Sequence, residues 1–263
     1  MSETPYDFAR ISASDSYSLP KKIFRSTVHW LSYTFILKSR KPREVKVDDL
    51  RLHVPPDVFH PGIFITSGMF AKFIRTLDLR GKRVVEVGTG SGILAISAGK
   101  AGASVVLALD INPAAVDAAR KNADANGVGA TFAARLSNLF SAVLSEEKFD
   151  VVISSPPSFE GEPRDMADRA WHAGPGYRDI RMLFEQAVHH LTPGGTMYLL
   201  VSSDTNVRYL EHRARRAGFD WKLVAEKSIV VESFLIFELR SAGVMDPVQV
   251  DRVATKIEAV AAE

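Results

Sequence analysis

Two stretches and one isolated acid carry residues able to do chemistry. The first stretch is Val84-Val85-Glu86-Val87-Gly88-Thr89-Gly90-Ser91-Gly92. Its apolar start reads as a short buried strand. Three alternating glycines follow, then an apolar helical pattern of Ile93, Leu94, Ile96 and Ala98. Without a Cβ, this backbone can turn tightly and approach a ligand. The helix behind it aims unpaired N–H groups at the same place. The spacing is Glu-x-Gly-x-Gly-x-Gly, not the Gly-x-Gly-x-x-Gly of dinucleotide sites. A carboxylate at the strand end, Glu86, suits a ligand with an ammonium group. The isolated acid is Asp110, 22 residues after Gly88, closing the apolar strand Val105 to Leu109. An acid there can accept hydrogen bonds from ribose hydroxyls. Its alternative use is to cap the helix that Pro113 opens. The second stretch, Phe149 to Phe159, is an apolar strand that stops at Ser155-Pro156-Pro157-Ser158.

The glycine stretch with its leading acid resembles motif I of class I S-adenosylmethionine-dependent methyltransferases. Ser155-Pro156-Pro157 resembles their motif IV, (Asn/Asp/Ser)-Pro-Pro-(aromatic), found in enzymes that act on a planar nitrogen. That group includes the base-N methyltransferases of nucleic acids and the protein-(glutamine-N5) methyltransferases. The resemblance implies S-adenosyl-L-methionine as cofactor and no metal. It implies cofactor contacts from Thr66, Glu86, Gly88, Thr89, Gly90, Gly92, Asp110, Ile111, Asn138 and Ser155. Phe64, Thr66 and Ser67 occupy the segment that covers the cofactor in such enzymes. Asn138 stands where related enzymes place an acid for the adenine amino group. Its amide oxygen can accept the same hydrogen bond.

Ser155 and Pro156 are the expected catalytic residues, for a physical reason. An NH₂ with a delocalised lone pair is a poor nucleophile. The Ser155 oxygen and the Pro156 carbonyl can each accept one N–H and turn the lone pair toward the methyl group. Proline fixes φ, so that carbonyl is held in place. Ser158 departs from the pattern by replacing the aromatic; Phe159 comes one residue later. Either Phe159 takes the role through a shifted loop or the acceptor is not a flat base. Trp171, His172 and Tyr177 are candidates for lining the acceptor pocket, and His60 is a histidine in a proline loop.

These residues need a scaffold. Strands read at about 83–87, 104–109, 130–134, 149–154, 195–202, 219–226 and 231–239. Helices read near 91–101, 113–125, 178–191 and 205–217. Alternation of this kind implies a parallel sheet covered on both faces. The last two strands have only a short link, so they pair antiparallel. The expected fold is α/β, a Rossmann-like seven-stranded methyltransferase sheet with its last strand antiparallel and a small N-terminal appendage. The division reads as a flexible tail at 1–20 and an appendage at 21–80. The cofactor-binding domain follows at 81–240, then a tail or short helix at 241–263. Within the appendage, 45–54 reads as a hairpin about Asp48-Asp49. A helix reads at about 68–77, with Ser67 as its cap.

The 263 residues suffice for one large domain with an appendage. A net charge of +2 commits the chain to no polyanion. The local exception is 21–43, where Lys21, Lys22, Arg25, Lys38, Arg40, Lys41 and Arg43 flank an aromatic core around Trp30. That segment reads either as a helix packed on the domain or as an RNA contact. The absence of cysteine excludes disulfides and thiolate chemistry and fits a cytoplasmic protein. No signal peptide or membrane span is expected. The expected activity is methyl transfer to nitrogen of a protein side chain or small molecule. The alternatives are an RNA or DNA base, or a non-catalytic cofactor-binding protein of the same fold. The oligomeric state is open.

Overall fold

The computed structural model describes residues 42–56, 58, 65–229 and 232–241. The tail 1–20, nearly all of the basic stretch 21–43, His60, Phe64 and the helix expected within 242–263 lie outside the described residues. The chain opens on a hairpin of β1 (Arg43–Val47) and β2 (Leu50–Val54), followed by helix α1 (Ile65–Thr76). Then come β3 (Arg83–Val87), α2 (Ile93–Lys100), β4 (Val105–Asp110), α3 (Pro113–Ala125) and β5 (Phe132–Leu136). The second half holds β6 (Phe149–Ser154), α4 (Arg178–His190), β7 (Leu191–Ser202), α5 (Val207–Arg216), β8 (Phe219–Ser228) and β9 (Ser233–Ser241).

Seven strands form one sheet in the order β5-β4-β3-β6-β7-β9-β8. Its first five strands pair parallel, and β9 runs antiparallel to both its neighbours. The central strands are apolar on both faces because helices cover both. Val85, Val87, Leu107, Leu109 and Val152 face the layer that holds Leu183 and Phe184 of α4 and Leu210 of α5. Their alternates Val84, Val106, Ala108, Val151 and Ile153 face α1, α2, α3 and the hairpin. Among the described residues, no helix is long and apolar enough to cross a membrane.

The hairpin forms at Asp48-Asp49 as expected, with Asp48 in the left-handed region at φ 53°. Leu50, Leu52 and Val54 alternate inward into the second layer. The free edge of β2 is met by two side-chain amides, those of Asn122 in the last turn of α3 and of Asn126, its C-cap. Asn126 accepts from the Arg51 N–H at 3.1 Å and donates to the Arg51 carbonyl at 2.8 Å. Asn122 does the same for His53, at 2.8 and 2.9 Å, and also donates to the Ser91 carbonyl in the glycine loop. Asn126→Ala should therefore cost about 1–2 kcal/mol, the net value of one or two such bonds. Hydrogen exchange at Arg51 should quicken while the β3–β4 amides stay protected. Unchanged exchange at Arg51 would show that the amide does not hold the edge.

Several boundaries differ from the sequence reading by one to four residues, and three of them have a clear local cause. Helix α1 starts at Ile65, so Thr66 and Ser67 sit inside its first turn and Ser67 is not the cap. First-turn N–H groups have no partner within the helix, so hydroxyl side chains are tolerated there. Strand β5 starts at Phe132 because 129–131 close a 3₁₀ turn first. Strand β7 starts at Leu191, since the Pro193-Gly194-Gly195 segment is absorbed as an irregularity between the Phe149 and Val151 pairings.

Candidate active site

The chain leaves β3 toward β4 on one side of the sheet, and β6 pairs on the other. Such a switch of direction opens a crevice at the carboxyl ends of the strands. A cavity of about 320 Å³ lies there. Every residue expected to contact the cofactor lines it except Gly92. Gly92 instead lets the helices close: a Cβ there would stand 3.0 Å from Ala119 of α3.

The glycine loop alternates handedness. Gly88, Gly90 and Gly92 have φ of 80°, 53° and 86°. A Cβ at Gly88 or Gly90 would meet nothing within 4 Å, so these two are glycines for conformation and for the open space beside them. The Gly88 and Thr89 N–H groups both donate to the Leu109 carbonyl, which fastens the loop to β4.

Glu86 is almost fully buried, and one of its oxygens does two jobs. It accepts from the Thr89 hydroxyl at 2.6 Å and from the Ala95 N–H in α2 at 2.9 Å. Burial dominates over those two bonds and pushes the carboxyl up to about 8. Glu86 thus braces the loop from behind as well as lining the cavity. The Thr89 hydroxyl is turned to Glu86.

Asp110 also ties the loop. Its Oδ2 accepts from the Gly90 N–H at 2.8 Å and its Oδ1 from the Asn112 N–H at 2.9 Å. Burial raises its pKa despite these bonds. Capping of α3 falls to Asn112, whose side chain accepts from the Ala114 N–H. A carboxylate offers about four acceptor positions, so Asp110 keeps capacity for a ligand's hydroxyls. Ile111 follows it in the cavity wall. Asn138 enters the wall from the loop after β5. That loop is bent by Leu139, in the left-handed region at φ 52°, whose carbonyl accepts from the Ser137 hydroxyl.

The proline loop sits opposite. The Ser154 hydroxyl donates to the Val87 carbonyl at 2.9 Å, binding the end of β6 to the end of β3. Ser155, Pro156, Pro157 and Ser158 then line the cavity, with Ser155 exposed to it. Phe159 lines it too, and its ring stacks on Trp171 with centroids 6.1 Å apart. Backbone bonds Phe159 N–H to Trp171 carbonyl and Ala173 N–H to Phe159 carbonyl fold this segment on itself. A buried Asp168 fastens the fold. It accepts from the Arg164 backbone and guanidinium at 2.9–3.0 Å and lies 3.3 Å from His172 Nδ1. The Arg164 guanidinium holds its carboxyl down at about 2.

Of the three residues expected at the acceptor end, Trp171 lines the cavity and the other two do not. His172 serves the Asp168 cluster. Tyr177 is buried at φ 51° before α4, and its hydroxyl accepts from the Asn206 N–H. Sequence reasoning missed Met166, Arg169, Asp179, Glu232 and Phe234, which complete the wall. They come from an irregular loop, the first turn of α4 and the start of β9, and no local pattern marks them. Among the described residues, no group of three metal-ligating side chains could hold an ion.

A switch-point cavity with a glycine loop, a strand-end acid and a Ser-Pro-Pro turn defines a methyltransferase fold. The chain is an S-adenosylmethionine-dependent methyltransferase. A family model for ribosomal protein L11 methyltransferase (PrmA) matches residues 34–155. The chain is 28% identical over 198 residues to a Methanocaldococcus jannaschii protein provisionally assigned as a protein N5-glutamine methyltransferase. That match covers 73% of this chain and 96% of the relative. It is 44% identical over 81 residues to the ribosomal protein L11 methyltransferase of Symbiobacterium thermophilum, covering 30% of this chain and 27% of that one. Its fold is similar to that of the solved T. thermophilus 16S rRNA N2 G1207 methyltransferase in complex with AdoMet and guanosine. There the TM-score is 0.56 at 20% identity, over 75% of this chain and 50% of that one.

Proposed function

We propose that this methyltransferase acts on a nitrogen, and that the acceptor belongs to a protein side chain or a small molecule. The observation that carries this is the Ser155-Pro156 turn, set in the cavity wall across from the glycine loop by the Ser154–Val87 bond. S-adenosylmethionine, when bound, supplies an electrophilic methyl on a positively charged sulfur. The residues lining the cavity fit it. Gly88 and Gly90 leave open space, Asp110 and Glu86 offer carboxyl groups that a cationic ligand favours in the ionised form, and Asn138 offers an amide. Thr66 on α1 and Ile111 after β4 close the walls. In this reading Ser155 and the Pro156 carbonyl each accept an N–H of the acceptor and fix its approach.

Two features favour a non-polyanionic acceptor. With Glu86 protonated in the free protein, the described cavity wall still sets Asp110, Asp179 and Glu232 against Arg169 alone, and acidic walls repel phosphates. The relative matched over nearly its whole length is provisionally assigned as a protein N5-glutamine methyltransferase. A base acceptor is the second reading, because the Phe159–Trp171 stack offers a flat surface at the cavity.

The test combines labelled cofactor with a variant. Label from S-adenosylmethionine should enter the protein or small-molecule fraction of a cell extract; label in RNA would install the second reading. Ser155→Ala removes one acceptor of an N–H bond but leaves the turn intact. The rate should fall roughly ten- to a hundredfold, since one orienting hydrogen bond to a reacting group is worth about 1.5–3 kcal/mol. Cofactor affinity should barely move, since Ser155 is one of many cofactor contacts. A variant that turns over like the parent would reduce Ser-Pro-Pro-Ser to a turn and take away the argument for nitrogen.

A further inference from the structure

A nitrogen that gains a methyl group has a proton to lose. Its lone pair forms the new N–C bond, the C–S bond breaks with its electron pair left on sulfur, and one N–H proton must depart. The Pro156 carbonyl and the Ser155 hydroxyl can orient an N–H, but neither is basic enough to take its proton; a carboxylate, ionised at neutral pH, can accept it and hand it on. The carboxylates described in the cavity wall differ in where the sheet puts them. Glu86 and Asp110 stand at the ends of β3 and β4, braced against the glycine loop. Asp179 enters from the first turn of α4, with Arg178 at 3.0 Å and Arg169 at 3.9 Å.

Glu232 comes from the other direction. It directly precedes β9, whose Phe234 pairs with Ser202 at the end of β7, and β7 is the neighbour of β6. Along the carboxyl edge the order is therefore Asp110, the glycine loop, Ser155, then Ser202 with Glu232. The proline loop stands between the cofactor half of the cavity and Glu232. The Glu232 carboxylate accepts from the Ser202 hydroxyl at 3.3 Å, and its carbonyl accepts from the Ile229 N–H at 2.8 Å. Both its backbone and its side chain are thus positioned.

Resting on the nitrogen reading above, we propose that Glu232 is a further catalytic residue: as the N–C bond forms it takes the proton of one of the two N–H groups that Ser155 and the Pro156 carbonyl orient, and passes it to water. The test uses the full chain, labelled S-adenosylmethionine and whichever extract fraction takes label. Glu232→Gln keeps the size and the bond from Ser202 but cannot hold the proton. Turnover at pH 7 should fall by roughly tenfold or more, the ordinary worth of a positioned base. The acid limb of the pH–rate profile should vanish. Calorimetric affinity for S-adenosylhomocysteine and the melting temperature should match the parent.

A readout independent of turnover is carbon NMR of carboxyl-labelled glutamates with S-adenosylhomocysteine bound. The resonance absent from Glu232→Gln should titrate at the pH of the parent's acid limb. Parent-like turnover and profile in Glu232→Gln would overturn the proposal. So would a titration away from the limb, or loss of the limb in Asp179→Asn instead. If Glu232→Gln melts early, Glu232→Asp decides: restored turnover with the limb present supports the role, and no restoration sinks it. Label found on oxygen or carbon withdraws the nitrogen reading and this role together. Label on nitrogen with an indifferent Glu232→Gln withdraws this role alone.

Discussion

Raising the pH from about 4.5 to about 8 should destabilise the cofactor-free protein, and Glu86→Gln should abolish that loss. Burial lifts the Glu86 carboxyl to about 8 from an ordinary value of 4.5. Between those values the folded chain holds a proton that the unfolded chain has released. Stability is thus fully present below about 4.5, declines as pH rises toward 8, and is level above it. At 1.36 kcal/mol per pK unit the decline amounts to about 3–5 kcal/mol. Denaturant unfolding at acidic, neutral and mildly alkaline pH measures it. In Glu86→Gln the amide oxygen still accepts from Thr89 and Ala95, and the slope from this site disappears. Flat stability in the parent would mean that Glu86 is ionised in the free protein. A cationic ligand favours the carboxylate, so cofactor binding near neutral pH should also release protons. Calorimetry in buffers of different ionisation enthalpy detects that release.

Asp110→Ala should weaken binding of S-adenosylhomocysteine about ten- to a hundredfold. Charge-assisted hydrogen bonds are worth about 1.5–3 kcal/mol. The geometry argues for the upper end, because Asp110 also fastens the Gly90 N–H and hence the loop itself. Asp110→Asn keeps one acceptor oxygen and should fall between the two. NAD should bind neither protein. Unchanged affinity in Asp110→Ala would place the ligand away from the end of β4.

The glycine-loop half of the cavity was legible in the sequence because each of its parts is local. Glu86, the glycines and Asp110 belong to strand-turn-helix units whose periodicity and spacing are written in consecutive residues. The seven strands were legible for the same reason, with ends displaced by up to four residues, furthest where the Pro193-Gly194-Gly195 irregularity lies in β7. The acceptor half was not. Arg169, Asp179 and Glu232 reach the cavity through an irregular loop, a helix start and a strand on the far side of β7. Only the folded topology brings them together. Trp171 and His172 are neighbours in sequence, yet one lines the cavity and the other serves Asp168, and nothing local separates them. Ser67 illustrates the opposite error: a hydroxyl before an apolar run has the chemistry of a cap and sits in the first turn instead.

The two asparagines at the end of α3, Asn122 within it and Asn126 as its C-cap, solve a problem of assembly. An open strand edge is a template for another chain, and two-stranded hairpins are especially exposed to it. Asn122 and Asn126 lie four residues apart on a helix, a rise of about 6 Å. Arg51 and His53 lie two apart on a strand, about 6.6 Å. The near match lets a helix face present the donor and acceptor pairs that a third strand would supply. The edge of β2 is thereby closed to sheet extension over Arg51 and His53 without a strand being spent on it. Asn-x-x-x-Asn on a helix flanking a hairpin is accordingly a device that a designer could transplant to silence an aggregation-prone edge.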